Sequence, residues 1–301
     1  MPVVVAVVVT FGPDHDIAEL LRVLDEQCDH VLVVDNGTPA NGLTRIKRAA
    51  AETNAEVLAL GHNRGIAAAQ NVGIARAREL GASHILLSDH DSLPAPRMVE
   101  KLLSGFDSTG RVAAVGPLPE EDREGGDQLV YVCRSWKPGR ATHAELDTDR
   151  LEVAFLIASG CLVSIDALDT IGDMDESLFI DHVDLEWGLR AHQAGYRLLV
   201  VPDAKLHHSL GDDVVMLPGR SQPVHVHGPT RNYYLARNTI ALVRRHALMP
   251  WRWRVRYVYW LAKYVAFNSV LPDRGKERRR LLRRGIRDGL RGRSGPLDAG
   301  A

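Results

Sequence analysis

The sequence contains little of what marks several common classes of protein. Its three cysteines, Cys28, Cys133 and Cys161, are far apart and form no C-x-x-C pair, which argues against a disulfide framework or a cysteine-rich metal site and favours a reduced, cytoplasmic protein. Long apolar runs are also missing: Val3–Val9 has only seven residues, whereas a membrane-spanning helix needs roughly 20. No basic region precedes that run, so we expect a buried first strand and no secretion signal.

Net charge is close to zero at −1, but the two signs are unevenly distributed. Residues 251–301 hold 14 Lys and Arg against 4 Asp and Glu, whereas the first 250 residues hold 23 against 34. An acidic body therefore carries a basic tail, which indicates an anionic partner for the tail. The length of 301 residues suits one large domain or two smaller ones. We expect a main domain over 1–240 and a helical, Arg- and aromatic-rich extension over 241–301.

The apolar pattern predicts alternating strands and helices. Continuous apolar runs are typical of buried strands, and apolar residues at helical spacing are typical of the connecting helices. The predicted strands of the first part are 3–9, 30–38, 56–60 and 84–87, and the helices between them are 16–27, 42–52 and 66–80. Further on we expect a helix over 94–107, strands at 112–116 and within 154–165, an irregular excursion over 117–150, a helix over 179–195 and a strand with a turn over 196–208. This order implies an α/β, Rossmann-like fold with a parallel sheet.

Polar clusters end or follow three of the predicted strands. They are Thr10-Phe11-Gly12, Asp35-Asn36-Gly37-Thr38 and Asp89-His90-Asp91. Ligands of open parallel sheets bind at the carboxyl ends of the strands. The sequence therefore predicts a ligand site where these clusters meet.

Several segments in fixed order resemble a known family. They are VVVTFGPD, VVDNGT, NRGIAAAQNVGI, LLSDHDS, GDMDESLFIDHVDLEWGLRAHQAGY, HHSLGD and RNYYLARN, and together they cover roughly residues 3–240. The sequence resembles the GT-A glycosyltransferases of family 2, most closely the bacterial rhamnosyltransferases. The resemblance implies a mainly parallel mixed sheet flanked by helices, a dTDP-L-rhamnose donor, inversion at the sugar and a cell-envelope glycan or polyprenyl-linked acceptor. A UDP-galactofuranose transferase and a non-catalytic nucleotide-sugar binding protein are the alternatives.

The two acids of Asp-His-Asp have two interpretations. A solvated turn or a helix cap is one; the other is a Mn²⁺ or Mg²⁺ site, since hard carboxylates suit these ions and the ions bind phosphate. The resemblance implies that a metal bridges Asp91 to the donor diphosphate, with Asp89 near the ribose or the metal. It also implies a histidine ligand, for which His208 fits the family spacing better than His207, and it leaves His90 as a spacer.

Other positions of the resemblance concern the donor. It implies that Asp35 contacts the pyrimidine, that Thr10 and Phe11 line the same pocket, and that Asn63 and Arg64 contact the donor from the next loop. From the residues alone, Asp35 equally suits an Asx-turn or a helix cap.

A second acidic cluster, Asp181, Asp184 and Glu186, precedes or begins a helix. Acids there are favoured by the helix dipole in any case, but sugar transfer also needs a base for the acceptor hydroxyl. The resemblance makes Asp184 that base. Val183 stands where the family has Glu, so Asp181 is the second candidate.

In RNYYLARN, Arg231 and Arg237 lie six residues apart, close to the same face of a helix. The pair suits either a solvated helix face or a clamp on a diphosphate. The aromatic and Arg-rich segment 251–271 is too charged to span a membrane but suits an anionic membrane surface. We therefore expect peripheral attachment to the inner face of the membrane, with nucleic-acid binding or plain helix packing as alternatives.

Overall fold

The computed structural model describes residues 2–120, 130–134, 138–208, 213–215, 224–271 and 274–297, and for His208, 213–215 and 224–225 it describes the backbone alone. The strands are β1 (Val4–Thr10), β2 (His30–Asp35), β3 (Glu56–Ala59), β4 (His84–Asp89), β5 (Ser92–Pro94), β6 (Val112–Glu120), β7 (Tyr131–Cys133), β8 (Pro138–Arg140), β9 (Leu151–Glu152), β10 (Cys161–Ser164), β11 (Arg197–His208), β12 (Asp213–Val215) and β13 (Val224–Val226). The α-helices are α1 (Ala18–Asp25), α2 (Ala40–Ala51), α3 (Ile66–Glu79), α4 (Met98–Ser104), α5 (His143–Leu146), α6 (Ile165–Ile171), α7 (Val183–Gln193), α8 (Pro229–Arg244), α9 (Trp251–Val270) and α10 (Gly275–Leu290).

A mixed nine-stranded sheet forms the centre of the molecule. Its order is β3-β2-β1-β4-β10-β6-β11-β5, and β9 pairs with β11. Strands β1 to β4, β6 and β11 run in one direction, and β5, β9 and β10 run against them. The predicted mainly parallel α/β sheet with flanking helices is confirmed.

Apolar cores lie on both faces of this sheet. Val5, Val7 and Val9 of β1 belong to one core, and the alternate residues Val4, Ala6 and Val8 belong to the other. Side chains of a strand point alternately to opposite faces, so an unbroken apolar run is what a strand buried on both faces requires. Burial of β1 between two cores therefore accounts for the apolar run VVVAVVV, and a membrane-spanning segment is not needed to explain it.

The structure corrects three of the predicted elements. The helix expected over 94–107 begins at Met98, because Pro94 is the last residue of β5, and it ends at Ser104 before a short 3-10 turn. The strand expected within 154–165 is confined to Cys161–Ser164. The segment expected to be irregular over 117–150 continues β6 to Glu120 and, in its described residues, contains β7, β8 and α5.

Helix α10 packs closely on α8 through two glycines. A Cβ atom at Gly285 would overlap the backbone of Tyr233, and one at Gly289 would lie 2.7 Å from the carbonyl oxygen of Arg237. Asn232 of α8 joins all three C-terminal helices, since its amide donates to Asn268 of α9 at 3.1 Å and its carbonyl oxygen accepts from α10. The boundary proposed at residue 240 lies within α8, which is continuous to Arg244.

Helix α9 is covered along only part of its surface. Trp253 and Asn268 are its buried residues. The apolar side chains of Trp251, Val255 and Val258 are more than half exposed. Among the helices of the described residues, α9 included, none is both long and apolar enough to cross a membrane.

Candidate active site

The three polar clusters meet at one edge of the sheet, as the sequence predicts. In the parallel ladders, Thr10 at the end of β1 pairs with Asp35 at the end of β2, and Val9 pairs with Asp89 at the end of β4. The carboxyl ends of these neighbouring strands therefore bring Thr10, Asp35 and Asp89 side by side.

Asp35 is buried and braces the turn that follows β2. Its carboxylate accepts from the Thr10 hydroxyl at 3.1 Å and from the backbone N–H groups of Gly37 and Thr38 at 3.3 and 3.2 Å. The bond to Gly37 closes an Asx-turn, which is the structural interpretation that the sequence left open. Phe11, next to Thr10, is 54% exposed at the same edge.

The loop after β3 is tied to the loop after β2 by Asn36, a member of the second polar cluster whose individual role the sequence does not indicate. Its amide donates to the Asn63 side chain at 3.1 Å, and its oxygen accepts from the Arg64 N–H at 2.8 Å. The side chains of Asn63 and Arg64 remain exposed. Beyond them, the N–H of Ile66 donates to the carbonyl oxygen of Phe179 at 2.7 Å, which connects this loop to the acidic segment.

The two acids of Asp-His-Asp line neighbouring cavities. Asp89 lines a cavity of about 390 Å³ together with Asp181, Asp184 and Arg231. Asp91 lines a cavity of about 720 Å³ whose wall also contains His207. His90, between the two acids, stacks on His15 with ring centroids 5.6 Å apart.

A divalent cation fits the chemistry of this turn. One oxygen of the Asp91 carboxylate is buried and has no hydrogen-bond partner among the described atoms, and a cation would satisfy it. Strand pairing places His208 opposite Ser92, one residue beyond Asp91, although its side chain and the Ser209–Asp212 segment lie outside the described residues. No group of three His, Cys, Asp or Glu side chains suited to a metal occurs within the described part of the chain.

The backbone before α7 is held in an unusual conformation. Phe179, Asp181 and His182 all have positive φ, at 66°, 64° and 65°. Such conformations cost roughly 1–3 kcal/mol for each non-glycine residue and persist where the surrounding structure enforces them. They cluster at functional sites, and here they occur immediately before Asp184.

Two residues of RNYYLARN hold this strained segment. The fully buried amide of Asn238 donates to the carbonyl oxygens of Leu178, Ile180 and Asp181 at 2.9, 2.7 and 2.9 Å. The buried guanidinium of Arg237 donates to the Leu178 carbonyl at 2.7 Å and also to Ser177 and Gly295. Arg237 does not line the cavity that contains Asp89, so its hydrogen bonds support the segment and not a ligand in that cavity.

Arg231 contributes to the cavity itself. Its guanidinium contacts the Asp181 carboxylate at 2.7 Å, and the Asp181 side chain is only 4% exposed. The second carboxylate oxygen of Asp181 is buried and, within the described structure, has no partner. Asp181 is therefore engaged in an ion pair and retains one oxygen for a ligand hydroxyl.

Asp184 has the properties of a general base. Burial raises the pKa of its carboxyl to about 6, and the nearby negative charge of Asp181 and Asp89 acts in the same direction. One carboxylate oxygen accepts from the Leu185 N–H at 2.7 Å, which fixes the side chain at the start of α7. A catalytic base is most effective when its pKa lies near the working pH.

The other side chains of this helix have structural contacts. Trp187 is 4% exposed and donates from its indole N–H to the Gly172 carbonyl at 2.9 Å. Glu186 is buried and forms ion pairs with Arg190 and Arg245 at 2.9 and 3.2 Å. Glu186 is thus neutralised, and Asp184 is the acid of α7 that faces the cavity.

Comparison with known proteins agrees with this arrangement. Residues 5–172 match the sequence profile of Glycosyl transferase family 2. The dTDP-rhamnosyl transferase RfbF of Shigella flexneri is 34% identical over 244 residues, covering 80% of this chain and 80% of that protein. The N-acetylglucosaminyl-diphospho-decaprenol L-rhamnosyltransferase of Mycobacterium tuberculosis is 27% identical over 317 residues, covering 92% and 96%.

A solved structure with the same fold is the mannosyltransferase PcManGT from Pyrobaculum calidifontis, in complex with GDP-Man and Mn²⁺. It superposes with a TM-score of 0.59 at 16% identity and covers 96% of this chain and 87% of that one. The fold is therefore that of the GT-A glycosyltransferases. The chain belongs to glycosyl transferase family 2 and is a glycosyltransferase with rhamnosyltransferases among its relatives.

Proposed function

We propose that the protein is an inverting, metal-dependent rhamnosyltransferase that moves L-rhamnose from dTDP-L-rhamnose to a cell-envelope glycan or a polyprenyl-linked acceptor. The observation that carries the proposal is the position of Asp184, whose pKa is raised to about 6 in a cavity shared with Asp89. A base and the donor-side acid thus line one space. The two named rhamnosyltransferase relatives support the choice of sugar.

The reaction is a single displacement. Asp184 takes the proton of the acceptor hydroxyl, and the freed oxygen attacks the anomeric carbon from the side opposite the leaving group. The new C–O bond forms as the bond from the anomeric carbon to the diphosphate oxygen breaks, so the nucleoside diphosphate leaves with that electron pair. Arg231, held by Asp181, adds a positive charge to the same cavity.

Asp91 and Asp89, with His208, are the residues that would hold Mn²⁺ or Mg²⁺. Bound there, the ion would supply charge neutralisation for the departing diphosphate. The orphaned buried oxygen of Asp91 supports this assignment. His207 is the second choice for the histidine, and it lines the cavity of Asp91.

By this proposal Thr10, Phe11 and Asp35 contact the donor base, and Asn63 and Arg64 contact the donor from the adjacent loop. The Asp35 carboxylate accepts hydrogen bonds from Thr10, Gly37 and Thr38, and these bonds support a role in shaping the donor pocket. A UDP-galactofuranose donor is the alternative, and the identity of the nucleotide base decides between the two.

The acceptor and the membrane are linked in this proposal. Exposed apolar side chains of α9 and an exposed basic stripe on α10, formed by Lys276, Arg280, Arg283 and Arg287, suit the anionic inner face of a membrane. These four residues recur at a spacing of three or four and so share one helix face. Attachment there would bring the active site close to a polyprenyl-linked acceptor.

A thermal-shift panel tests the proposal. The protein is heated with dTDP, UDP or GDP, each with Mn²⁺, Mg²⁺ or EDTA. A ligand at 100 times its dissociation constant adds about 2.7 kcal/mol to the free energy of unfolding. We expect stabilisation by dTDP only with a divalent ion, and transfer from dTDP-L-rhamnose. Stabilisation by UDP alone would indicate a UDP-sugar donor in place of dTDP-L-rhamnose. No stabilisation by any nucleotide would refute the proposal.

A further inference from the structure

A second cavity reaches Asp184 from the side of α9. It has a volume of about 440 Å³ and shares Asp184 and His182 with the cavity of Asp89. Its wall is mainly aromatic and basic. The wall includes Tyr131, Phe155, Arg256, Tyr257, Trp260 and Lys263. Asp184 is therefore accessible from two cavities, and Asp89 lines one of them.

Aromatic rings form most of this wall. Tyr131 stacks on Phe155 with centroids 5.2 Å apart, and Tyr257 and Trp260 both meet the His182 ring edge to face at 6.3 Å. Trp260 is 38% exposed, so part of its ring is open to a ligand. Flat apolar rings beside a few polar groups are suited to the C–H face of a sugar ring.

Two cationic side chains, Arg256 and Lys263, lie at the opening of this cavity. Arg256 and Lys263 are exposed and lie 5.1 and 5.7 Å from the ring centroid of Tyr259, between them on the helix. The sequence of α9 contains no acidic residue, and in the described part of the structure neither cation has an ion-pair partner. Asp184 is the one carboxylate among the described residues of the wall. This distribution of charge favours a ligand whose anionic group lies beside Arg256 and Lys263 at the opening and whose hydroxyl reaches Asp184 inside the cavity.

We propose that this cavity is the acceptor subsite, in which a sugar stacks on Tyr257 and Trp260, directs a hydroxyl to Asp184 and places its phosphate between Arg256 and Lys263. The inference rests on the proposed transfer reaction and adds the residues of α9 that would recognise the sugar and the phosphate of the acceptor. The donor would occupy the cavity of Asp89 and the acceptor that of Trp260, so the two substrates would meet at Asp184.

The test separates the acceptor phosphate from phosphates of a membrane surface. The probes are N-acetylglucosamine linked through diphosphate to a short, water-soluble alkyl chain, and the alkyl glycoside of the same sugar without diphosphate. Transfer from dTDP-L-rhamnose is measured for wild type, for Arg256→Ala with Lys263→Ala, and for the control Arg252→Ala, an exposed arginine of α9 outside the cavity wall. No lipid is present in this arm.

We expect the double variant to raise KM for the diphosphate probe at least tenfold, to leave KM for the alkyl glycoside unchanged and to keep the stabilisation by dTDP. Arg252→Ala should behave as wild type. Equal effects on both probes, or no effect, would overturn the proposal. So would a loss seen only when the probe is embedded in anionic vesicles, because the cations would then serve the membrane surface.

Trp260 gives an independent arm. Trp260→Ala should raise KM for both probes, and Trp260→Phe should restore most of the affinity because stacking needs only a ring. Failure of Phe to rescue would contradict stacking. A wild type that is stabilised by dTDP yet transfers to neither probe would overturn the phosphate-linked acceptor while leaving the donor half of the proposed function intact; no stabilisation by dTDP would instead locate the failure in the proposed function.

Discussion

The side-chain amide of Asn238 lies 2.9 Å from the carbonyl oxygen of Asp181 and donates a hydrogen bond to it. Asn238 is fully buried in α8, and Asp181 is one of three residues with positive φ before the base. The same amide also holds Leu178 and Ile180. One buried side chain of α8 thus holds the backbone segment that leads into α7 and Asp184.

Asn238 is therefore a positioning residue, and its removal should slow transfer without weakening donor binding. Asn238→Ala removes the amide donor shared by three carbonyls, of which Leu178 keeps its bond from Arg237, and a buried polar group that loses its partner costs about 1–3 kcal/mol of stability. A base displaced by about 1 Å lowers kcat roughly 100-fold. Steady-state kinetics and a dTDP thermal shift measure the two effects.

Asn268→Ala is the matched control. Asn268 is an equally buried asparagine that bonds to Asn232 and to the Tyr264 carbonyl, away from the strained segment. We expect a comparable loss of stability and nearly normal kcat. If both variants lose kcat equally, Asn238 acts through general stability alone.

The raised pKa of Asp184 predicts how rate and stability depend on pH. The base works deprotonated, so kcat should rise with pH up to about 6 and level off above it. Asp184→Asn should lower kcat by about 10²–10⁴ and remove this dependence. Because the folded pKa exceeds the unfolded value, the charged carboxylate opposes folding, and its cost develops as pH rises from about 4 to about 6.

The stability of the same variant provides the check. Asp184→Asn should raise the free energy of unfolding at pH 7 by about 1–3 kcal/mol, and the gain should vanish below pH 4. Asp181→Asn should instead lower the free energy of unfolding at pH 7, because the variant loses the ion pair that the buried carboxylate makes with Arg231 at 2.7 Å. Urea unfolding at pH 4 and pH 7 distinguishes them; a destabilising Asp184→Asn at pH 7 would contradict the burial of its charge.

The sequence predicts the sheet and its ligand edge, because these depend on local patterns. Apolar runs mark the strands, and the parallel topology then places Thr10, Asp35 and Asp89 together. The support of the base could not be predicted, since Asn238 and Asp181 are 57 residues apart. None of the three positive-φ residues is glycine, so no local signal marks the strain.

RNYYLARN illustrates the same limit. A helical pattern places Arg231 and Arg237 near one face but does not distinguish a ligand from a carbonyl as their partner. In the structure Arg231 lines the cavity and Arg237 is buried against Leu178. The aromatic cavity was missed for a related reason: Tyr131, Phe155 and Trp260 come together only through tertiary packing, although the acid-free sequence of α9 was a usable signal.

Asp91→Ala tests the metal site. The variant should lose the stabilisation by dTDP with Mn²⁺ or Mg²⁺, about 2.7 kcal/mol at 100 times the dissociation constant, and so behave like wild type in EDTA. Asp14→Ala is the control, because Asp14 lines the same cavity but is 97% exposed and contacts His15. If Asp91→Ala retains the metal-dependent stabilisation, the metal binds at a site other than this turn.

The basic stripe of α10 predicts salt-sensitive binding to anionic vesicles. Each Lys or Arg near such a surface contributes about 1 kcal/mol, so replacing Arg280, Arg283 and Arg287 by Ala should lower the partition coefficient roughly 100-fold at low salt. Co-sedimentation with phosphatidylglycerol and with phosphatidylcholine vesicles measures it. Transfer to a water-soluble acceptor should be unchanged, since none of the three arginines lines the cavities that share Asp184.

The control for this stripe removes three exposed basic residues from the main domain, Arg22, Lys47 and Arg48 of α1 and α2. It changes net charge equally, so any difference between the two triple variants reflects where the charge lies. Raising the salt concentration from 50 to 500 mM should release wild type, because the Debye length shortens from more than 10 Å to a few ångströms. Equal losses in both variants would indicate a general charge effect, and the α10 face would then not be the membrane-binding surface.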